Sequence, residues 1–572
     1  MHERFNLNVI SRWCLLLWLC AIPRSCAQAK SAPRVDDGSF RRTSFTMTAP
    51  LVAMAMRVPV AKTTEDEAAG CLPDLKRFQS QALEFYTYLE GESAWVRDGE
   101  PTPQALQMIE VLNHADTKGL EPSDYGRDEW GADLQMFYET RQPSDWPVVR
   151  FDVALTACTM RYLSDLHGGR VNPKLIHAAI GPANSHLNLV PLLLQLIVAP
   201  DVDGEIQKVE PPFPAYGRTL AALNHYLQLA KLDRGGSLHF SGKVVRVGDP
   251  FPETTRLAER LRLFGDLRSD FTITESVYSR ELSEGVKHFQ QRHGLLAAGL
   301  LDQKTVNALN VPLRRRIEQL NLTLERWRWV LPSFSAPPIV VNIPEFRLHT
   351  DDENFHWLLS AKVVVGKAYR HQTPVFASQL RTIIFRPYWN VPSSIAVAEL
   401  LPLVQHDSSY LKRHGFEVVD KRGALVAARL VDRASLSSGK VSIRQRPGGE
   451  NALGLIKFEF PNRYGVYMHG TPETQLFIQS RRDFSHGCIR VENPELLAQW
   501  ILSDNPKWTL NTILSAMNGQ QSFRVNLQKP IPVLIVYGTA VVMEDGEVHF
   551  LDDIYKQDLK LEKALQSTRD IH

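Results

Sequence analysis

A cysteine and a histidine in the last fifth of the chain have the residue types of a nucleophile and its base. Cys488 lies in the run Ser485-His486-Gly487-Cys488-Ile489-Arg490, and His469 lies 19 residues before it. A cysteine attacks carbonyl carbons as its thiolate, so its free pKa of about 8.5 has to be lowered by a neighbouring imidazole or a cluster of amides. We therefore expect Cys488 to be a nucleophile and His469 to be its general base.

The residues around this pair suggest how they are held. The segment 464–468 is strand-like, which would place His469 at a strand end. Gly487 lets the backbone approach closely, and its amide together with that of Cys488 could form an oxyanion hole. His486 has two readings: it is a packed histidine, or it is a second polar group that orients the loop or the substrate.

Two other readings of these residues need to be weighed. His469, His486 and Cys488 are all zinc-ligand types, but no Cys-x-x-Cys pair accompanies them and His486-x-Cys488 is too tight for a usual structural site. We expect no metal and no cofactor. The other reading is a buried Cys-His pair without a function.

Length and composition limit the classes of protein that fit. The 572 residues predict three or four domains. Hydrophobic residues make up 44% and charged residues 22% of the chain, which is typical of a globular protein. Because 65 Lys and Arg nearly balance 63 Asp and Glu, we expect no nucleic-acid partner.

The first 27 residues have the pattern of an export signal. An apolar stretch of ten residues, 13–22, follows basic residues, and Ser25-Cys26-Ala27 offers small residues for cleavage. Ten residues are too few to span a bilayer about 30 Å thick. An uncleaved signal would instead tether the protein to the inner membrane. Residues 28–71, rich in Ala, Thr, Ser and Pro, are predicted to be a flexible lead-in.

Export also changes the cysteine count. Cleavage would remove Cys14, Cys20 and Cys26, and leave Cys71, Cys158 and Cys488. In an oxidising compartment Cys71 and Cys158 could pair, which would leave Cys488 as the odd thiol.

The remaining chain is predicted to be a multidomain α+β protein with a mostly helical N-terminal scaffold at residues 72–249. Apolar residues recur at helical spacing over 74–89, 103–114 and 151–166. The run 167–170 contains two glycines and is read as a helix ending.

Residues 250–312 are predicted to be a small three-helix module. A helix ending in Phe289-Gln290, the turn Gly294-Leu295, and a helix carrying Thr305 and Leu309 resemble the peptidoglycan-binding module found beside many wall enzymes. Asp302 is expected to cap the third helix. Ala298 stands where that module more often has an acidic residue, so a purely structural spacer is an equal alternative.

A helical connector at 313–336 leads into a β-rich catalytic domain at 337–560. β-branched runs at 338–343, 361–366 and 381–385 predict strands, and 531–550 predicts strands joined by the turn 544–546. Residues 396–446 form a charged insertion that we expect to be helical. A lid, a cap or a disordered loop are the usual roles of such an insertion, and we favour a cap over the site.

The combined motifs resemble the L,D-transpeptidase (YkuD-type) catalytic domain. They are His469-Gly470-Thr471, the Cys488 run, Gly366-Lys367, Trp389-Asn390-Val391-Pro392 and Asn451-Ala452-Leu453-Gly454. With the helical domain and the wall-binding module, the chain is similar to the long, scaffold-bearing periplasmic subgroup (YcbB-like) over roughly residues 72–560.

The resemblance implies a reaction on cell-wall peptides. Cys488 would attack the amide between the L-centre of meso-diaminopimelate and the terminal D-Ala of a tetrapeptide stem, and the resulting thioester would be resolved by the amine of a second stem as a 3→3 cross-link. Gly470 lacks a side chain, so its backbone carbonyl would have to orient the imidazole of His469. Arg490 would hold a substrate carboxylate or brace the loop. Tyr467 and Trp389 are either walls of the groove or core residues.

The resemblance also implies partners and a location. We expect stem peptides and glycan as partners, other cell-wall synthases or carboxypeptidases beside them, and the periplasm of a Gram-negative envelope as the compartment. An L,D-carboxypeptidase that uses water as acceptor, and a wall-binding scaffold with a degenerate site, remain alternatives.

Overall fold

The computed structural model describes residues 75–139, 145–181, 187–233, 235–273, 276–330, 334–352, 354 and 356–570. The predicted signal at 1–27, the lead-in at 28–71 and Cys71 lie outside these residues. Within the described chain, every helix is too short or too polar to cross a membrane. The predicted multidomain α+β class, with a helical N-terminal region and a β-rich C-terminal domain, is confirmed.

The N-terminal region is a bundle of helices around one long, almost fully buried helix, α4. Its inner side chains, among them Phe151, Tyr162 and Leu163, are at most 1% exposed, because helices pack against it from several sides. Gly169 ends α4 with φ +79, as expected of a glycine at a helix C-terminus. Cys158 in α4 is disulfide-bonded. The elements are α1 (Leu75–Tyr88), β1 (Val96–Arg97), β2 (Glu100–Pro101), α2 (Pro103–Asn113), α3 (Trp130–Glu139), α4 (Asp145–Gly168), α5 (Leu189–Leu196), α6 (Val202–Gln207) and α7 (Pro214–Leu232).

Three short helices follow, with a hydrophobic core of their own. They are α8 (Thr254–Leu263), α9 (Arg280–Arg292) and α10 (Gln303–Leu309). The Asp302 side chain accepts from the Thr305 amide at 2.8 Å, so the predicted cap of α10 is confirmed. The Gln290 side chain fixes the turn before α10, because it donates to the Leu300 carbonyl and accepts from the Gly299 amide.

The connector helix α11 (Leu313–Trp327) leads into a closed ring of strands. The order β5-β13-β11-β10-β6-β14-β3-β4 is completed by pairing of β4 with β5, and β12 adds to the end of β5. The inward side chains of these strands form the barrel core, and the outer face of β14 packs against α7 and α11. The strands are β3 (Ile339–Asn342), β4 (Arg347–Asp351), β5 (Trp357–Gly366), β6 (Phe376–Phe385), β10 (Ile456–Glu459), β11 (Met468–His469), β12 (Asp483–Ser485), β13 (Ile489–Val491) and β14 (Phe523–Val536).

The insertion between β6 and β10 differs from the helical segment that the sequence predicts. Short helices are present, but a three-stranded sheet of order β7-β9-β8 joins them around a separate core. The strands were missed because β7 has two residues, and its partner β9 lies about fifty residues further along the chain. The elements are β7 (Trp389–Asn390), α12 (Ser393–Ile395), a π-helical turn (Ala396–Leu400), α13 (Leu401–His406), α14 (Tyr410–Arg413), β8 (Phe416–Asp420), α15 (Arg433–Ser437) and β9 (Val441–Gln445).

The chain ends with helices and a hairpin that cover the barrel. The hairpin turns at Gly546, which has φ +88, in the predicted position. The elements are α16 (Pro494–Ile501), α17 (Leu510–Asn518), β15 (Ala540–Val542), β16 (Val548–Phe550) and α18 (Gln557–Asp570).

Candidate active site

Cys488 lies in a tight loop between β12 and β13, and the backbone of this loop is held from two sides. The Ser485 hydroxyl donates to the Cys488 carbonyl at 2.5 Å and accepts from the Gly487 amide at 3.1 Å. Gly487 has φ +114, a region that favours glycine. Thr373 donates to the Gly487 carbonyl at 2.9 Å, so the loop is also tied to the segment after β5.

These contacts correct one expectation about the oxyanion hole. The Gly487 amide is engaged with Ser485, which lies within the same loop. Since a single N–H has one strong hydrogen bond to give, this amide is not available to a substrate oxyanion in the observed conformation. Sequence analysis missed the competitor because Ser485 lies in the same motif and its side-chain direction cannot be read from spacing.

His469 lies on β11, the strand next to the one that follows Cys488. β11 and β13 are parallel, with Met468 opposite Ile489 and His469 opposite Arg490. The imidazole is only 4% exposed. This register places Cys488 level with Tyr467, two residues before the level of His469, so the candidate nucleophile and the candidate base come from neighbouring strands.

Backbone carbonyls orient the imidazole. His469 Nδ1 lies 2.5 Å from the Gly470 carbonyl oxygen, and the Leu453 carbonyl is a second backbone partner. A carbonyl can only accept, so Nδ1 carries the proton and Nε2 keeps a lone pair. Burial, followed by the positive charge of Arg490, lowers the pKa of His469 to about 3. The ring is therefore neutral at pH 7 and has the form that a general base requires.

Gly454 lets the segment that carries the Leu453 carbonyl approach the base. Gly454 has φ +63, and a Cβ atom there would lie 2.6 Å from the Thr471 nitrogen. Asn451, three residues earlier, is buried and donates to the carbonyls of Pro387, which lies before the insertion, and of Arg446, its last residue. The Asn451–Gly454 motif thus connects the two ends of the insertion to the residues around His469.

The Cys488 thiol donates to the Gly465 carbonyl at 3.9 Å, and the amide and hydroxyl of Tyr467 act on the same sulfur by lowering its pKa. No hydrogen bond joins the sulfur to His469 among the described residues. Burial raises the pKa of the Cys488 thiol, and the Tyr467 donors offset this only in part. This overturns the expectation of a lowered pKa: at rest the pair is a neutral thiol beside a neutral imidazole.

Trp389 connects Tyr467 to the insertion. The Trp389 side chain lies near the Tyr467 hydroxyl and acts to lower its pKa, and the Trp389 ring lies 6.1 Å from that of Phe416 within the insertion. Lys457 Nζ lies 4.1 Å from the Tyr467 ring centroid, which is a cation–π distance. Both aromatic residues thus take part in packing, and Tyr467 also contacts the reacting atom.

His486 and Arg490 each pair with a carboxylate. His486 Nε2 lies 2.6 Å from Glu399 Oε1, on the π-helical turn of the insertion, so the insertion contacts the nucleophile loop. Arg490 forms an ion pair with Glu473. Sequence analysis missed Glu399 because it lies 87 residues from His486. Within the described part of the chain, no group of three or more His, Cys, Asp or Glu side chains is placed to hold a metal.

The comparisons with known proteins agree with this geometry. Residues 337–542 match the family model of the L,D-transpeptidase catalytic domain. Residues 80–223 match the model of a scaffold domain. A curated protein of Haemophilus influenzae, named "Putative L,D-transpeptidase", is 30% identical over 247 residues, which are 43% of this chain and 49% of that protein. The alignment thus spans about half the length of this relative. Residues 337–542 are thus similar to an L,D-transpeptidase catalytic domain, and residues 80–223 are similar to a scaffold domain.

Proposed function

We propose that this protein is a cell-wall L,D-transpeptidase that forms 3→3 cross-links through a Cys488 thioester. The observation that carries the proposal is the neutral His469, oriented by the Gly470 carbonyl, on the strand beside Cys488. The sulfur itself contacts Tyr467. A nucleophile, a base with a free lone pair and a hydroxyl donor are what acyl transfer requires.

In the first half-reaction, Cys488 attacks the carbonyl carbon of the amide that precedes D-Ala. As the C–S bond forms, the thiol proton passes to Nε2 of His469. The tetrahedral intermediate then collapses with cleavage of the C–N bond, and the imidazolium returns its proton to the leaving amine. D-Ala leaves, and a thioester remains on Cys488.

The developing oxyanion needs donors other than the Gly487 amide. We propose the Cys488 amide and the Tyr467 hydroxyl, which can turn from the sulfur to the oxyanion once the C–S bond has formed. The hydroxyl lies near enough to the sulfur to lower the thiol pKa, and Trp389 lies near the hydroxyl. A donor placed in advance at the site of charge development lowers the barrier without a reorganisation cost during the reaction.

In the second half-reaction, the side-chain amine of another stem attacks the thioester. The amine loses a proton to His469, the C–S bond breaks, and the sulfur leaves as a thiolate that takes up this proton. The burial that raises the Cys488 pKa favours the protonated product.

The remaining residues have positioning roles in this proposal. Arg490 forms an ion pair with Glu473 and lies near His469. Its positive charge would attract a stem carboxylate. The insertion would act as a cap, anchored by the contact of Glu399 with His486. We further propose export to the periplasm of a Gram-negative envelope, with the 250–312 module on the glycan and wall synthases or carboxypeptidases nearby.

The test is incubation of the purified protein with disaccharide-tetrapeptide, followed by mass spectrometry of the products. We expect a cross-linked dimer that has lost one D-Ala, and no product from the Cys488→Ala variant. Tripeptide without dimer would assign an L,D-carboxypeptidase. Unchanged substrate with the wild-type protein would support a non-catalytic scaffold and contradict the proposal.

A further inference from the structure

Three neighbouring strands of the barrel place a row of side chains at the level of the candidate base. Lys457 on β10 lies opposite His469 on β11, and His469 lies opposite Arg490 on β13. Directly opposed residues of neighbouring strands have their side chains on the same face of a sheet. Phe458 and Met468, the next residues on β10 and β11, lie in the barrel core, so this row lies on the outer face. The base is therefore flanked by a cation on each side.

The two cations act on different members of the candidate pair. Nζ of Lys457 lies 4.1 Å from the ring centroid of Tyr467, the residue level with Cys488. Burial raises the pKa of the Cys488 thiol, and after Tyr467 it is Lys457 that opposes this rise, ahead of Arg490. Burial lowers the pKa of His469, and here Arg490 adds more to the shift than Lys457. Lys457 is thus the cation with the stronger effect on the sulfur.

The two cations also differ in how far their charge is neutralised. Arg490 forms an ion pair with Glu473. Nζ of Lys457 donates to Glu459 Oε1 at 2.9 Å, and Glu459 also forms an ion pair with Arg524. Two cations therefore share one carboxylate, which leaves one positive charge unmatched on the Lys457 side of the base.

The ammonium group of Lys457 keeps a donor for a ligand. An ammonium has three N–H groups. Glu459 accepts from one of them, and the Tyr467 ring lies over the group. Within the described part of the chain, Glu459 is the one hydrogen-bond partner of Nζ. The Lys457 side chain is 16% exposed, so solvent reaches it. An anion that enters the site would gain a charge-assisted hydrogen bond from this group.

We propose that Lys457 binds the C-terminal carboxylate of the donor stem and so determines the preference for a free carboxylate directly after the cleaved amide. The proposal rests on the proposed function, in which His469 returns a proton to the amine of the leaving D-Ala. In D-Ala the carboxylate and this amine are attached to the same carbon, so the carboxylate lies close to the base. Lys457 is the cation beside the base whose charge is incompletely matched.

Arg490 has a different role in this proposal. Diaminopimelate carries a second carboxylate on its side chain, before the cleaved amide. We assign this carboxylate to Arg490, on the other side of His469. Loss of Arg490 would then weaken every donor equally, whereas loss of Lys457 would weaken only donors that end in a free carboxylate.

The experiment compares a disaccharide-tetrapeptide that ends in D-Ala with the same compound ending in D-alaninamide. The readout is kcat/KM for release of the C-terminal residue, which cross-linking and hydrolysis both produce. We expect the wild-type protein to prefer the acid. In Lys457→Met, which keeps the apolar part of the side chain, the acid-to-amide ratio should fall by about tenfold to a hundredfold, as expected for loss of a hydrogen bond between charged groups.

Two further variants serve as controls. Arg524→Met removes the other cation paired with Glu459, and because the Arg524 side chain is 60% exposed, the ratio should stay within about twofold of the wild-type value. Arg490→Met should lower kcat/KM for both donors and leave their ratio unchanged. These controls separate a contact with the carboxylate from a general loss of positive charge.

Several results would overturn this proposal and leave the proposed function standing. They are an unchanged ratio in Lys457→Met, a ratio that falls in Arg490→Met instead, and a wild-type protein that uses the amide as well as the acid. Release from neither donor by the wild-type protein would overturn the proposed function and this proposal together. Thermal unfolding shows whether each variant is folded. If Lys457→Met does not fold, Lys457→Gln takes its place, and the ratios of the wild-type protein and Arg490→Met still decide.

Discussion

Two buried histidines of this chain have nearly the same electrostatic surroundings. His469 in the barrel is 4% exposed and His293 in the three-helix module is 6% exposed. Nδ1 of each lies close to a backbone carbonyl, that of Gly470 or that of Phe289. Burial, followed by a nearby arginine, lowers the pKa of each.

Their neighbours are different. The His293 ring stacks on Phe289 at 3.7 Å and lies near Phe550, so it fills a hydrophobic core. His469 lies on the strand beside Cys488, and its carbonyl partner belongs to an irregular segment rather than to a helix. A depressed histidine pKa therefore does not identify a catalytic base in this protein. Our proposal rests instead on the thiol of Cys488, in the loop that leads into the next strand.

The largest effect is expected from removing the two imidazoles in turn. His469→Gln should lower the rate of cross-link formation by about a hundredfold to ten-thousandfold, because a general base contributes that much. His293→Gln should leave the rate within about twofold and lower the unfolding temperature. Both rates are measured by the mass of product over time. Equal losses of rate in the two variants would contradict the proposal that His469, and not His293, is the general base.

A smaller effect is expected from the hydroxyl that contacts the thiol. Tyr467→Phe should slow transpeptidation by about tenfold to a hundredfold and raise the Cys488 pKa further, since a donor to the thiolate is lost. The pKa is measured as the midpoint of the iodoacetamide alkylation rate against pH, which should lie above that of a free cysteine in the wild type. Tyr464→Phe is the matched control, because the Tyr464 hydroxyl is bonded to Arg463. A midpoint unmoved by Tyr467→Phe would argue against the contact.

The smallest effect concerns the backbone that orients His469. Gly454→Ala places a Cβ atom 2.6 Å from the Thr471 nitrogen, so the segment has to shift. We expect unfolding free energy to fall by about 2–4 kcal/mol and cross-linking to slow by about tenfold. Gly423→Ala, at φ +81 with open space around it, should cost only about 1 kcal/mol and no activity. Urea unfolding of both variants checks this, and equal costs would show that φ alone matters at Gly454.

Much of the candidate site could be predicted from the sequence because its main residues lie close together in the chain. Two short motifs contain Cys488, His469 and Gly470, and the residue types in these motifs indicate a nucleophile and a base. The direction of the Cys488 pKa shift and the engagement of the Gly487 amide were not predictable. Both depend on how deeply the loop is buried and on the direction of the Ser485 side chain. The spacing of residues in the sequence shows neither.

The fold could be predicted where the hydrophobic periodicity is strong. The prediction failed where the paired strands are short and distant in the sequence. The helices around α4 and the β-branched strands of the barrel followed from apolar spacing. The insertion sheet did not, because strands of two to five residues leave little pattern. A cavity between the scaffold helices and the barrel, with Phe213, Trp327 and Val536 in its wall, is lined by residues that range from 176 to 557 in the chain. The sequence does not show that these residues come together.

The most direct test of the account is the mass of the protein itself after mixing with a tetrapeptide donor and no acceptor. We expect an adduct equal to the donor minus D-Ala, mapped to the peptide that contains Cys488 and released by hydroxylamine as a thioester. The Cys488→Ala variant should keep its original mass. An unmodified wild-type protein, or an adduct on any other residue, would contradict the assignment of Cys488 as the nucleophile.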